Sequence, residues 1–534
     1  MKKQFFAAAM ILALGAGFTA CSNDDLGKQE GKQVAQNADT YMSVSFTLPS
    51  TNSTRAAADG QDKDEPDFNR KGEWSGNDKI SKVTIYVFNG TNDASTLEVK
   101  QEVSNPVVST STGKVVVKPQ EAFKVAAGQK TVFVVVNPTN ETNTHLNTAT
   151  LGQFKTSYSN TALALTAASG GTVADKLAVL DGTQHVITMT GSSATPTIVA
   201  GVSAADAASG INNNVALQVQ RTVAAVNVTT KAASYSFAGF NPENGNKEDN
   251  FITVSELSYV VAQGEKSLYL LQKANANSTT DGAAFTTPSY SYITNNDYAT
   301  SAGTYYDYSG LKITEPGRKT DGLQLQTVAD NNLTSLTPTF KKTAFILPTV
   351  HKFSANSRDN SGYRKGNTPY VLVRGFLTPK KYVGAGGVVK PGTDLEDGND
   401  LFFGETTGLF YISEQEALNP QGKGVAGQKV RKFTKRVVLY WAWLNPDGNF
   451  INSPVIRNNV YNIHITAIKN LGGNWNPLVP NEADNPNPKP NNPNEPTTPP
   501  VDPNDPLTLD KTWMSTNVTV LPWQVHSHEI TLSL

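Results

Sequence analysis

The chain has 534 residues, with 45 Lys and Arg against 46 Asp and Glu, six His, one Cys and a formal net charge of -1. A hydrophobic fraction of 38% with 9% aromatics is enough for packed cores, which excludes a disordered chain, and the length calls for two or more globular units plus tails. The balanced charge offers a polyanion no basic face, so nucleic acid is excluded as a partner, and a single thiol excludes internal disulfides and cysteine-based metal centres.

The N-terminus reads as a targeting device. Lys2 and Lys3 precede an apolar run from Phe5 to Phe18, followed by Thr19-Ala20-Cys21. That run is too short to span about 30 Å of hydrocarbon comfortably, but it fits a secretory signal. Small residues directly before a cysteine match the bacterial lipobox, so residues 1–20 are expected to be removed and Cys21 to carry lipid. The following Ser22-Asn23-Asp24-Asp25 resembles the acidic tag that directs lipoproteins to the outer face of an outer membrane.

A polar tether then leads to Tyr41–Leu48, which alternates strictly. Met42, Val44, Phe46 and Leu48 share one face and Ser43, Ser45 and Thr47 the other, the period of a half-buried strand. Further strands are expected at Lys82–Phe88, ending on Asn89-Gly90, at Lys130–Val136, ending on Asn137-Pro138, and as one long strand over Val215–Thr229. Weak helical patterns occur at Thr161–Ala168 and Gly201–Ala208. Short strands separated by Gly, Asn and Pro suggest a sandwich. A second unit starts near residue 235, with strands at Ser255–Gln263, Ser267–Gln272, Thr368–Leu377, Arg436–Leu444 and Asn458–Ile468. Over 474–506 about one residue in three is Pro, mixed with Asn and Asp, which marks an extended spacer. Alternation then returns: Met514, Val518 and Val520 lie on one face of Trp513–Leu521, and Ile530, Leu532 and Leu534 on one face of Glu529–Leu534.

No catalytic constellation stands out, and neither an enzyme nor a cofactor is expected. His526 and His528 are the one close histidine pair, and no zinc spacing or phosphate loop surrounds them. Asp394, Glu396 and Asp400 could offer carboxylates to Ca²⁺, but Gly398 stands at the fifth loop position, so an acidic turn is the first reading.

Several blocks resemble one family. Tyr41–Pro49, Tyr306–Ser309, Tyr363–Gly375, Tyr440–Pro446 and Arg457–Asn462, with the Pro-Asn-Asp spacer, are similar to the Bacteroidales fimbrillins, in particular shaft subunits of the short (minor) fimbriae of Porphyromonas. The resemblance implies an all-β chain of two transthyretin-like Greek-key β-sandwich domains with C-terminal donor strands. It also implies a surface lipoprotein precursor cut by a trypsin-like, Arg-specific protease, here at Arg55-Ala56, with Arg70 and Lys71 as other exposed cuts. The expected divisions are a signal at 1–20, a lipidated propeptide with leader strand at 21–55, an N-terminal sandwich at 56–235, a C-terminal sandwich at 236–473, the spacer at 474–506 and a donor segment at 507–534.

On this reading Met42, Val44, Phe46 and Leu48 fill an acceptor groove until proteolysis frees them. A neighbour's Met514, Val518, Val520, Ile530, Leu532 and Leu534 then supply the replacement, giving a head-to-tail homopolymer that supports adhesion. Tip and anchor subunits are the other expected partners. The alternative is a non-polymerising surface adhesin or glycan-binding lipoprotein of tip or anchor type.

Overall fold

The computed structural model of the chain describes residues 40–48, 78–111, 114–118, 122–168, 171–182, 184–277, 283–290, 304–312, 323–327, 343–353, 362–444, 453–474, 478, 501–507, 514–518 and 524–532. Strands dominate it. The main elements of the first half are β1 (Thr40–Leu48), β2 (Lys82–Phe88), β3 (Leu97–Ser104), β4 (Val107–Ser111), β5 (Lys114–Lys118), β6 (Phe123–Val125) and β7 (Thr131–Val136). The short helices α1 (Asn140–His145) and α2 (Leu151–Lys155) follow, then β8 (Met189–Thr190), α3 (Ala204–Ser209), β9 (Asn214–Gln218) and β10 (Gln220–Arg221).

These strands make two sheets, ordered β9-β1-β5-β4, with β6 also on β1, and β10-β8-β7-β2-β3. Their inner faces share one core. Met42, Val44 and Phe46 of β1, Val117 of β5 and Leu217 of β9 meet Val83 and Ile85 of β2 and Val132, Val134 and Val136 of β7. β2 and β7 carry apolar residues on both faces because their second face is covered too. Tyr86, Phe88 and Phe133 pack on Phe154 of α2, and Phe133 also on Tyr158, with ring centroids 4.7 to 5.2 Å apart. Helices α1 and α2, which periodicity does not signal, start on capping boxes at Thr139/Thr142 and Thr150/Gln153. Thr161–Ala168 is not helical; it carries a two-residue strand, Leu163–Ala164, paired with Ser267–Leu268.

The run expected as one strand over Val215–Thr229 is three: β9, β10 and then β11 (Ala224–Thr230). Each serves a different sheet, so the chain must turn between them. At the first turn Gly191 is obligatory, since a Cβ there would lie 1.7 Å from the Gln218 carbonyl oxygen. Arg221, beside the second turn, is buried in an ion pair with Asp78 and donates to Asn458 Oδ1 at 2.9 Å.

The second half continues with β12 (Ser234–Phe240), β13 (Lys247–Ala262), β14 (Ala344–Ile346), β15 (Tyr370–Pro379), β16 (Val437–Trp443), β17 (Asn459–Ile468), β18 (Met514–Val518) and β19 (Gln524–Leu532). One sheet runs β12-β13-β15-β16; the other places β11 beside β17, with β14 on β11 and β18 and β19 on β17. A second core, from Ala224 to Ile468, fills the space between them. Strand β16 is covered on both faces: Tyr440 and Ala442 enter this core, while Trp441 packs with Tyr306, Leu372 and Leu478. A further small sheet is built from Lys381–Val383, Val389–Pro391, Leu401–Gly404, Phe410–Tyr411 and Val430–Phe433. Among the described residues no helix is long and apolar enough to cross a membrane.

Candidate functional site

The first strand lies inside its sheet. β1 pairs in parallel with β9, Ser43 opposite Asn214 through Thr47 opposite Gln218. On its other edge it runs antiparallel to β6 near its start and to β5 near its end, from Thr40 opposite Val125 to Leu48 opposite Val115. Withdrawing it would bare the backbone of β9 on one side and of β5 and β6 on the other.

Its apolar face is fully engaged. Met42, Val44, Phe46 and Leu48 are 0%, 1%, 1% and 5% exposed. At about 1.5–3 kcal/mol per large apolar side chain, such burial ties the strand firmly to the body. The polar face differs from expectation. Alternation predicts Ser43, Ser45 and Thr47 facing water, yet Ser43 and Ser45 are buried, Ser43 against α3. Ser43 Oγ donates to the Ala207 carbonyl at 2.5 Å and accepts from Asn214 Nδ2 at 2.8 Å. The strand's start is latched as well. Tyr41 N donates to Val202 O at 3.1 Å, Asn213 Nδ2 donates to Tyr41 O at 2.9 Å, and Thr40 Oγ1 accepts from Val202 N at 2.9 Å. Asn213 holds a left-handed φ of 53°, a conformation asparagine tolerates. Composition offers no signal for this lid, because α3, Asn213 and Asn214 meet β1 only through the fold.

The C-terminal strands occupy one edge of β17. β18 runs antiparallel along Ile463–Ile468, while β19 runs parallel along Asn459–Asn462. β18 and β19 also pair with each other as an antiparallel hairpin, Met514 opposite Thr531 through Asn517 opposite His528. The backbones of Met514, Val518, Ile530 and Leu532 thus belong to this sheet, as do those of His526 and His528, while Val520 and Leu534 lie outside the described residues. Cys21, Arg55 and Ala56 lie outside them as well.

The end of the Pro-rich segment sits on the body. Lys365 N donates to Asp505 O at 3.0 Å, Gly366 N donates to Pro503 O at 2.9 Å, and Leu507 is buried with Tyr290, Val350, Phe353 and Tyr363. Upstream, Leu478 is 7% exposed and its carbonyl accepts from Tyr370 Oη at 3.0 Å. The stretch linking the anchored Leu507 to β18 is therefore only 508–513, a reach of about 20 Å fully extended.

Two buried ionisable groups stand next to this anchorage. His351 Nε2 donates to the Asn367 carbonyl, 3.1 Å away, and burial pulls the ring's pKa from 6.5 down to about 4. Glu265 accepts from Ser289 Oγ at 2.7 Å, and burial pushes its carboxyl from 4.5 up to about 8. The two act with opposite signs. Neutral His351 favours the fold fully above about pH 6.5, and that contribution is lost as pH falls towards 4. The folded state retains the Glu265 proton, so stability falls as pH rises from 4.5 to 8. Glu265→Gln is expected to remove that alkaline decline. Denaturant midpoints of both proteins across this window check it, and parallel profiles would refute it.

The acidic loop makes ion pairs instead of gathering carboxylates. Asp400 accepts from Lys432 Nζ and from Lys435 N, each at 2.8 Å, and Asp397 lies 3.4 Å from Arg436. Asp394 ends a short 3₁₀ turn, and Glu396 N donates to Asn399 Oδ1 at 2.8 Å. Among the described residues no three His, Cys, Asp or Glu side chains cluster as metal ligands would.

Comparisons with known proteins agree in kind. The family profile described as "Major fimbrial subunit protein (FimA)" matches residues 40–255, and that of "Major fimbrial subunit protein type IV, Fimbrillin, C-terminal" matches 431–529. Two forms of the minor fimbrium subunit Mfa1 of Porphyromonas gingivalis are 36% and 35% identical over 553 aligned residues, covering 99% of this chain and 99% of each relative. Among solved structures, a fimbrilin (fimA) from Porphyromonas gingivalis W83 is 14% identical, with a TM-score of 0.34, covering 93% of this chain and 99% of that one.

Proposed function

This chain belongs to the fimbrillin family, as a relative of Porphyromonas minor fimbrium subunits, and we propose that it is the structural shaft subunit of a surface fimbria. Its role is mechanical and adhesive, not catalytic. The precursor travels as an outer-membrane lipoprotein acylated at Cys21. A trypsin-like, Arg-specific protease cuts at Arg55-Ala56, the segment carrying β1 leaves, and a neighbour's C-terminal strand takes its place. The two cores correspond to two transthyretin-like Greek-key sandwiches in this reading. Tip and anchor subunits complete the filament.

One observation carries the proposal. β1 is paired on both edges and buried along its apolar face, yet it is joined to β2 only through residues 49–81, the stretch that contains Arg55. A strand that is both central to a sheet and separable by a single cut is the natural plug of an acceptor groove. Its replacement by β-augmentation needs no energy source beyond that cut. Donor and acceptor surfaces differ, so the contact repeats without closing.

Trace trypsin added to the purified precursor, made without its lipid, tests this reading. Cleavage near Arg55 is expected to produce ladders on native gels and thin filaments by electron microscopy. A cleaved protein that stays monomeric would overturn the shaft assignment and favour a tip or anchor role.

A further inference from the structure

A second kind of chemistry is assembled at the opposite sheet of the first core. Asn89 directly follows β2 and Lys130 directly precedes β7. These strands are antiparallel neighbours whose last paired residues are Phe88 and Thr131, so Asn89 and Lys130 face each other one step beyond the ladder. The Lys130 side chain is 0% exposed, and its Nζ donates to Asn89 Oδ1 at 2.7 Å. It also lies 2.6 Å from Glu98 Oε2, on a side chain only 4% exposed.

Glu98 is brought there by a backbone irregularity. Along β2 and β3, Val87 pairs with Val99 and Phe88 with Leu97, which leaves Glu98 as the extra residue of a bulge. Bulges re-aim side chains, and this one turns a carboxylate onto a buried amine. Its second oxygen accepts from Ala126 N at 2.6 Å, which fixes its orientation. An amine, a carboxamide and a carboxylate thus converge from three adjacent strands. A simple buried ion pair needs the first and last of these groups only.

The geometry points to an intramolecular isopeptide bond between Lys130 Nζ and Asn89 Cγ, formed with Glu98 as proton carrier. A proton passes from the Lys130 ammonium to Glu98 Oε2, leaving a neutral amine whose lone pair attacks Asn89 Cγ. Glu98 returns its proton to the developing oxyanion and then carries one proton from Nζ to Nδ2. The Cγ–Nδ2 bond breaks as the Cγ carbonyl re-forms, the hydroxyl proton passes through Glu98 to the departing nitrogen, and ammonium leaves with the amine's two surplus protons. No oxidant or co-reactant is required. Asn89 is exposed, so the leaving group has an exit, while the attacking amine and the carboxylate are shielded from water. The product staples β2 to β7 covalently, which suits a subunit held under tension.

Intact-mass measurement of the full chain, with tandem analysis of its proteolytic peptides, tests this. The expected protein is lighter than its sequence by one ammonia, with a branched peptide joining the Asn89 segment to the Lys130 segment. Glu98→Gln and Asn89→Ala are each expected to abolish the branched peptide. Asn89→Ala removes an exposed side chain and retains the backbone hydrogen bond from residue 89 N to Thr96 O, so it folds. An unshifted mass with two linear peptides overturns the proposal. So does ammonia loss with linear peptides only, the signature of backbone cyclisation at Asn89-Gly90. A branched peptide that persists in Glu98→Gln removes Glu98 from the reaction.

Discussion

A Phe46→Ala precursor is expected to lose about 3–5 kcal/mol of stability, while the filament made from it loses none. Phe46 is 1% exposed in the shared core of the two first-half sheets, so truncation leaves a cavity that β1 cannot close alone. In the uncut chain that loss falls on the whole first unit. On the proposed strand exchange, cleavage discards the segment carrying residue 46, and the assembled polymer would no longer contain the substitution. Weakening the plug should also speed its departure, so filaments appear sooner after the protease is added. Denaturant titration of precursor and polymer gives the comparison. Equal destabilisation of both would mean that β1 never leaves and that strand exchange is wrong. An unchanged precursor would mean that β1 does not bear on the fold as its burial implies.

Much of this arrangement was legible in the sequence where burial follows a simple period. Tyr41–Leu48 alternates and is β1; Lys82–Phe88 and Asn458–Ile468 are strands to within a residue. Tyr440-Trp-Ala-Trp443 places large rings on both sides of a strand, and both faces of β16 are packed. Periodicity failed where long-range contacts decide the environment. Ser43 and Ser45 look like a solvent face, but partners more than 160 positions away in the chain bury them. Small hydroxyl side chains find partners on α3 and on β9, so polarity alone does not report exposure. Val215–Thr229 read as one strand because each segment is apolar enough for a sheet, and nothing local records that three different sheets receive it. Similarly, Pro content marked 474–506 as a spacer, yet Lys365 and Gly366 hold its last residues by backbone hydrogen bonds that composition cannot show. Glu98 gave no sign at all, since a bulge depends on the register of two strands.

That anchorage bears on the donor. If the chain is truncated after Leu507, cleavage near Arg55 is expected to yield no filaments, because the groove is opened and nothing is left to fill it. The emptied groove offers sockets for four apolar side chains at alternate positions, those of Met42, Val44, Phe46 and Leu48. Met514, Val518 and Val520 fall on a face of the same period with Thr516 between them, and Ile530, Leu532 and Leu534 give three consecutive alternate positions. Either strand therefore presents apolar residues at the right spacing, with Ser, Thr or Asn on the opposite face to suit the polar pocket beneath α3. Replacing Met514, Val518 and Val520 by Ser in one variant, and Ile530, Leu532 and Leu534 by Ser in another, separates them. The donor set should abolish polymerisation, since losing three apolar anchors at about 1.5–3 kcal/mol each removes most of the joint's stability. The other set should leave filaments intact. Both strands lie on the edge of β17 in the single chain, so the proposed donation would exchange one set of backbone pairs for another and leave the apolar sockets to decide the direction. Filaments from the chain truncated after Leu507 would sink this account, because the donor would then have to come from another part of the molecule.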